Sequence, residues 1–349
     1  MKRYHNLTAA VVLSALSGAA LCVGSTPVLA QQNFYTGKQV TMIVSSAPGG
    51  GYDAIARTTA RHLRKHIPGE PTIVVQNMGG TGGLVAANHV YNIASRDGLT
   101  IAQFQNTVPF EPLYGNKQAR YDPPKFNLLG SPSKETALLL VWHTSPIMTL
   151  QDAQKREVIL AATGASSTPA FYTRLLVDIF GLKVKLITGY PGQNEQFLAM
   201  ERGENEGGAS TFWSSLKTIR PQWIAENKVR LLLQYGLEPN PELKQVPFAL
   251  DLLKDRPDDY RLMEVASAAL SLGRPFAAPP EVPADRLATL RKAFSGTFAD
   301  AEFLADCAKQ GLECDSPSTG DELQRIVNES YAAPQPIIDR LQKVYASRF

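Results

Sequence analysis

The chain predicts an α/β protein built as two lobes with a cleft between them. Three features lead there. Short apolar runs alternate with helical patterns, the alternation comes in two successive series, and a Pro-rich irregular stretch, residues 109–132, stands between the series. A length of 349 residues is enough for two domains of ordinary size. Apolar residues at 44% and charged residues at 19% fit a globular chain, not a disordered or coiled-coil one.

Residues 40–45 form the first predicted strand. Residues 53–67 follow as a helix, with Ile55, Thr59, Leu63 and Ile67 recurring every fourth position on one face. Arg57, Arg61, Arg64 and Lys65 lie elsewhere on it, and Pro68-Gly69 ends it. A strand at 72–75, a helix at 82–94 and a strand at 99–103 complete the first series. Strand–helix–strand repetition predicts a parallel sheet with helices on both faces. A long apolar strand at 136–143 opens the second series. Its strands are predicted at 158–162, 184–188, 207–210 and 229–234, with helices starting at Pro169, Pro191, Phe212 and Pro241. A last strand at 276–278, a helix at 283–298 and a helical tail at 319–345, kinked near Pro334 and Pro336, finish the chain.

The first thirty residues read as a cleaved signal peptide. Lys2 and Arg3 precede an Ala-rich apolar stretch, and Val28-Leu29-Ala30 offers small residues at the −3 and −1 positions before Gln31. The apolar core is too short and too Ala-rich for a membrane anchor. Cys22 lacks the small preceding residue expected of a lipidation site, since Leu21 stands there. Without residues 1–30 the net charge falls from +3 to about +1, which offers no electrostatic case for nucleic acid or an anionic membrane surface. An oxidising compartment permits a disulfide between Cys307 and Cys314, seven residues apart across a predicted helix end. Two buried thiols are the alternative.

The sharpest feature is Ser46-Ala47-Pro48-Gly49-Gly50-Gly51-Tyr52-Asp53, after a strand and at the start of a helix. Glycines turn tightly and leave their N–H groups uncovered. A helix N-terminus adds partial positive charge, so the junction suits a carboxylate or phosphate. Asp53 is placed to cap the helix. A second such junction, Asn77-Met78-Gly79-Gly80-Thr81-Gly82-Gly83, belongs to the next unit. Two of them at one end of a parallel sheet point into one crevice. From the other lobe, Gly164, Ser166, Ser167 and Thr168 bring hydroxyls and N–H groups, with a plain helix cap as the simpler account. Asn106-Thr107, Tyr190 to Gln193, and Ser210 with Thr211 sit at further strand ends. Trp213 lies either at the cleft or in the core.

Other chemistries fit less well. Gly49 to Ala54 matches a weak dinucleotide fingerprint, but the second strand ends in Gln76-Asn77 where a ribose-binding acid belongs. There is no G-x-S-x-G elbow. His62 and His66 share a helix face, yet Arg64 and Lys65 flank them and no third metal ligand is evident, so a solvated polar face is expected. No catalytic residue, cofactor or metal is expected.

Nearly the whole mature chain, and residues 40–101 most specifically, resembles the substrate-binding proteins of tripartite tricarboxylate transporters, the Bug or TctC-like family. Its marks are Ala47-Pro48-Gly49-Gly50-Gly51-Tyr52-Asp53-Ala54-Ile55-Ala56-Arg57, then Val74-Val75-Gln76-Asn77, Gly79 to Gly83, and Arg96-Asp97-Gly98-Leu99-Thr100. Pro275 to Arg286 resembles the family's return to the first lobe. The resemblance implies a type II periplasmic binding protein, a Venus flytrap, with residues 31–139 and 271–349 in lobe 1 and 140–270 in lobe 2. It implies a periplasmic receptor that holds a small organic carboxylate mainly by loop backbone groups, and a monomer is expected. The receptor would deliver it to the permease subunits of a secondary transporter, without membrane insertion; presentation to a sensor protein is the alternative. The second lobe departs from the family pattern. Gly164 to Thr168 lacks the usual histidine, Tyr190-Pro191-Gly192 stands for Y-K-G, and Gly208 to Thr211 stands for an acidic strand end. These departures bear on which solute is read.

Overall fold

The structure, a computed structural model, describes residues 34–49, 51–162, 167–190 and 192–347. The signal-peptide residues 1–30, Gly50, Gly164 and Ser166 lie outside the described residues.

The first lobe begins with β1 (Gln39–Val44), α1 (Gly51–Leu63), β2 (Thr72–Asn77), α2 (Leu84–Asn92) and β3 (Thr100–Gln103). β1 sits between β2 and β3 and runs parallel to both. Its pleat separates its side chains: Val40, Met42 and Val44 meet Ile55, Leu63 and Phe294, while Ile43 faces Leu84 and Val90. Both faces are thus buried, as a crossover-built sheet requires.

β4 (Asn127–Ser131) follows, inside the stretch expected to be irregular. It is short and holds a glycine and a serine, so no apolar alternation marks it; pairing with strands from the far end of the chain makes it one.

The second lobe carries β5 (Ala137–Trp142), α3 (Leu150–Lys155), β6 (Val158–Ala162), α4 (Thr168–Phe180), β7 (Val184–Thr188), α5 (Gln193–Glu201), β8 (Gly207–Phe212), α6 (Trp213–Ile219), α7 (Pro221–Ala225) and β9 (Val229–Tyr235). The order across its sheet is β7-β6-β8-β5-β9. β6 is parallel to β7 and β8, whereas β5 is antiparallel to β8 and β9. The predicted helix at Pro241 is only a single 3-10 turn, Pro241–Leu243. The long helix of that region, α8 (Pro257–Leu272), starts later and is buried almost all round from Leu262 on, which erases the one-faced pattern a sequence reader looks for.

The chain then returns to the first sheet through β10 (Phe276–Ala278), followed by α9 (Ala284–Phe298), α10 (Ala301–Lys309), β11 (Ser318–Thr319), α11 (Gly320–Tyr331) and α12 (Gln335–Ala346). β10 enters antiparallel between β3 and β4, so the first sheet is mixed, not wholly parallel. The expected kinked tail is two separate helices, with Pro334 at their junction. Arg174 of α4 donates from Nε to the Val344 carbonyl and Arg340 pairs with Asp178, so α12 lies against the second lobe.

Cys307 and Cys314 are joined, with Cα atoms 6.3 Å apart. His62 and His66 do not face solvent alone. His62 Nε2 lies 3.0 Å from Asp306 and His66 Nε2 lies 2.9 Å from Asp300, with Lys65 between Asp300 and Glu302. That face of α1 packs against α10, a helix the periodicity did not mark. Against the expectation of no third ligand, His62, Asp300 and Glu302 come within reach of one another, and Lys65 pairs with both carboxylates of that group. Among the described residues no helix is long and apolar enough to cross a membrane.

Candidate functional site

Three loops meet where β1, β2 and β3 end. The first runs from Ser45 to α1. Asp53 lies inside the first turn of α1, which starts two residues earlier than expected. Its buried carboxylate therefore reaches back: Oδ2 accepts the Gly49 N–H at 2.9 Å. It also accepts from Asn77 Nδ2 at 2.8 Å and from Arg57 Nε at 3.0 Å. Asn77 Nδ2 donates as well to the Ser46 carbonyl, and its Oδ1 accepts from Arg57. Burial alone would push the Asp53 carboxyl up, but the hydrogen bonds from Arg57, Gly49 and Asn77 outweigh it and hold the carboxyl below its ordinary value. Asp53 is thus occupied in fixing the glycine loop, with its lone pairs turned to protein donors.

The second loop carries an unusual backbone. Gly80, Thr81, Gly82 and Gly83 all have positive φ, from +47° at Thr81 to +123° at Gly80. A run of four such residues is open only to a glycine-rich segment. A Cβ on Gly79 would come 3.1 Å from the Ala47 nitrogen, so the two glycine loops touch backbone to backbone. A Cβ on Gly83 would meet Val108 at 2.9 Å and Ser45 at 3.2 Å, which locks this loop to the third one. Gly49 and Gly82 differ: a Cβ on either would meet nothing within 4 Å among the described residues.

The third loop joins through Asn106 and Gln105. Asn106 donates its N–H to the Tyr52 hydroxyl at 3.1 Å, and that hydroxyl donates to Asn106 Oδ1. Gln105 donates its N–H to Ser45 Oγ at 2.8 Å. These contacts bring Gly49, Tyr52, Asp53, Gly79, Gly83 and Asn106 together, with Pro48, Gly51, Gly80, Thr81 and Gly82 on the same loops.

Arg274, just before β10, escaped the sequence reading. Its guanidinium lies 4.4 Å over the Tyr52 ring and 3.6 Å from Glu135. A Cβ on Gly51 would stand 3.5 Å from it. Nothing local marks Arg274, because the chain folds back there over more than two hundred residues.

In the second lobe, Ser167 caps α4 through the Ala170 N–H, and Thr168 begins that helix. Gln193 begins α5. Ser210 and Thr211 end β8, with Thr211 buried. Among the described residues no hydrogen bond joins Thr168, Gln193, Ser210 or Thr211 to the three loops of the first lobe. Trp213 belongs to the core: it packs with Leu138, Phe197 and Leu216 and donates its indole N–H to Glu242 at 2.7 Å. The edge as a whole offers loop amides, one helix start and a nearby guanidinium, a donor set suited to a carboxylate.

A family model described as the tripartite tricarboxylate transporter family receptor matches residues 55–342. Protein BugT of Bordetella pertussis is 36% identical over 75 residues, 22% of either chain. The chain spans less than half the length of the curated relatives it matches. A solute-binding protein of the same type from Polaromonas superposes with a TM-score of 0.70 at 19% identity, over 88% of this chain and 99% of that one. MatC of Rhodopseudomonas palustris, solved with bound malate, gives a TM-score of 0.56 at 20% identity, over 88% and 99%. At such identities the likeness speaks for the fold.

Proposed function

Since the chain belongs to the tripartite tricarboxylate transporter receptor family, we propose that it is an exported receptor that captures a small organic carboxylate between its lobes and delivers it to a tripartite tricarboxylate-type secondary transporter. The observation that carries this reading is the joined pair of glycine loops, at the ends of adjacent parallel strands, with Gly49 and Gly82 open in front. Backbone amides and the start of α1 would hold the carboxylate, as loop N–H groups hold anions generally. Asp53 and Asn77 would keep the first loop in shape, and Thr81 the second. Ser167, Thr168, Gln193, Ser210 and Thr211 would meet the solute as residues 140–270 close on it. Binding would shift an open–closed equilibrium by its preference for the closed form. The malate in MatC supports the solute class.

The test is thermal denaturation with malate and a panel of mono-, di- and tricarboxylates, with NAD and sugars as controls. A ligand held only by the native state at a hundred times its Kd stabilises by about 2.7 kcal/mol. Gly82→Asn is the matched variant, because Asn tolerates the left-handed backbone and would project into the open space at Gly82. Its unliganded midpoint should stay near that of the parent while the carboxylate shift disappears. Stabilisation by NAD or sugars alone would overturn the proposal, and a full carboxylate shift in Gly82→Asn would remove this loop from the site.

A further inference from the structure

Beside the first glycine loop, a small cavity of about 160 Å³ lies between the lobes. A complete small-molecule site is roughly 300–1,000 Å³, so this space takes one end of a solute and not the whole. Gly51 and Arg274 border it from the first lobe, Ser214 and Thr218 of α6 from the second, and Glu135 from the crossover between β4 and β5. Glu313, on the loop that the Cys307–Cys314 disulfide closes, completes the wall. Gly51 is also the first residue of α1, and a Cβ there would stand 3.5 Å from the Arg274 guanidinium. The cavity therefore adjoins the helix start behind the glycine loop, within reach of a solute whose carboxylate is anchored there.

The charges of the cavity come in matched pairs. Arg274 lies 3.6 Å from Glu135, whose side chain is 3% exposed and also accepts from Ser214 Oγ at 2.7 Å. Glu313 lies 3.5 Å from Lys217 of α6. The charges around them are answered too. Lys134 borders the space on the other side of Glu135 and pairs with Glu322 at 3.1 Å and Glu238 at 3.9 Å. Glu242 pairs with Lys217 at 3.1 Å and accepts the Trp213 indole N–H. Asp315 is exposed, and its charge is screened by solvent. A second carboxylate in the cavity would compete with Glu135 for Arg274 and meet Glu135 and Glu313 as like charges. An ammonium would meet Arg274 in the same way. Either must break into a buried pair, and a buried charge stripped of its partner is costly. A neutral group breaks none. The Ser214 and Thr218 hydroxyls already donate their protons, to Glu135 and to the Ser214 carbonyl, so they offer lone pairs to a guest that donates. We infer that this cavity reads the far end of the solute and selects a neutral hydrogen-bond donor there. The preferred solute is then a monocarboxylate ending in a hydroxyl or an amide, not a dicarboxylate or an ω-amino acid.

This selectivity rests on the carboxylate reading above, and the test separates the two. Calorimetry compares succinate, glutarate and adipate with the half amide, the ω-hydroxy acid and the ω-amino acid of the same chain length. At the length that binds tightest, the half amide or the hydroxy acid should bind roughly tenfold or more tighter than both the diacid and the amino acid. Glu135→Gln leaves Arg274 without its partner and should turn the preference to the diacid. Arg274→Gln leaves Glu135 without its cation and should turn it to the amino acid. Circular dichroism checks that both variants fold, and the comparison in the parent protein decides without them. A diacid or amino acid that equals the neutral-ended acids in the parent, or an order unchanged in both folded variants, would overturn the selectivity while the carboxylate reading stands. No binding by any acid of the series would overturn both.

Discussion

Replacing Asp53 by Asn keeps the shape of the side chain and removes its charge. Asn offers one acceptor and an NH2 group where the structure presents three kinds of donor: the Gly49 amide, the Asn77 side chain and Arg57. At least one donor must then face another donor in a site that is 4% exposed. The bonds from Gly49 and Asn77 end on a buried charged acceptor, roughly 1.5–3 kcal/mol each. Arg57 is half exposed, so its share is discounted to well under ~1 kcal/mol. Asp53→Asn should therefore cost about 3 kcal/mol at neutral pH, or roughly 4–5 °C in Tm for a chain of this length. The pH dependence follows from the depressed carboxyl. Stability from such a group is present above its free value of 3.8 and lost as pH falls through the lower, folded value. Urea unfolding of both proteins across this range should show a gap that is widest at neutral pH and narrows in acid. Equal stability at pH 7, or a gap that ignores pH, would refute the account of Asp53 as the charged holder of the glycine loop.

Gly83→Ala tests the join between the second and third loops. The left-handed φ of +95° and the approach to Val108 together should cost about 3 kcal/mol, read as a lowered urea midpoint; a neutral effect would mean that the two loops are not locked there. Reduction of the Cys307–Cys314 bond, with its separation of seven residues, should cost roughly 2.5 kcal/mol through loop entropy in the unfolded chain. Calorimetry with and without reductant would measure it, and an unchanged midpoint would indicate a loop equally constrained by its contacts.

The glycine loops could be read from the sequence because the signals are local. A strand, a glycine cluster and a helix start lie within fifteen residues of one another at each junction, and the second lobe's alternation is just as local. Asp53 was found but given the wrong partner, since capping its own helix and reaching back to Gly49 differ only by where α1 begins. β4 was missed because its pairing partners β10 and β11 come from the far end of the chain. The helix α8 was misplaced because burial on every side left no stripe. His62 in α1 and His66 in the turn after it read as a solvated face because Asp306 and Asp300 are more than two hundred residues away.

By itself, the sequence determined the alternation of elements, the two anion-suited junctions and the family resemblance, all of which rest on neighbours in the chain. Only the tertiary structure decided which acids and bases meet. It set Arg274 over Tyr52, carried Glu313 to Lys217 and withdrew Trp213 into the core. Backbone preferences act over a few residues, whereas burial and charge act through space, and which charges share a buried space follows from how the chain returns on itself.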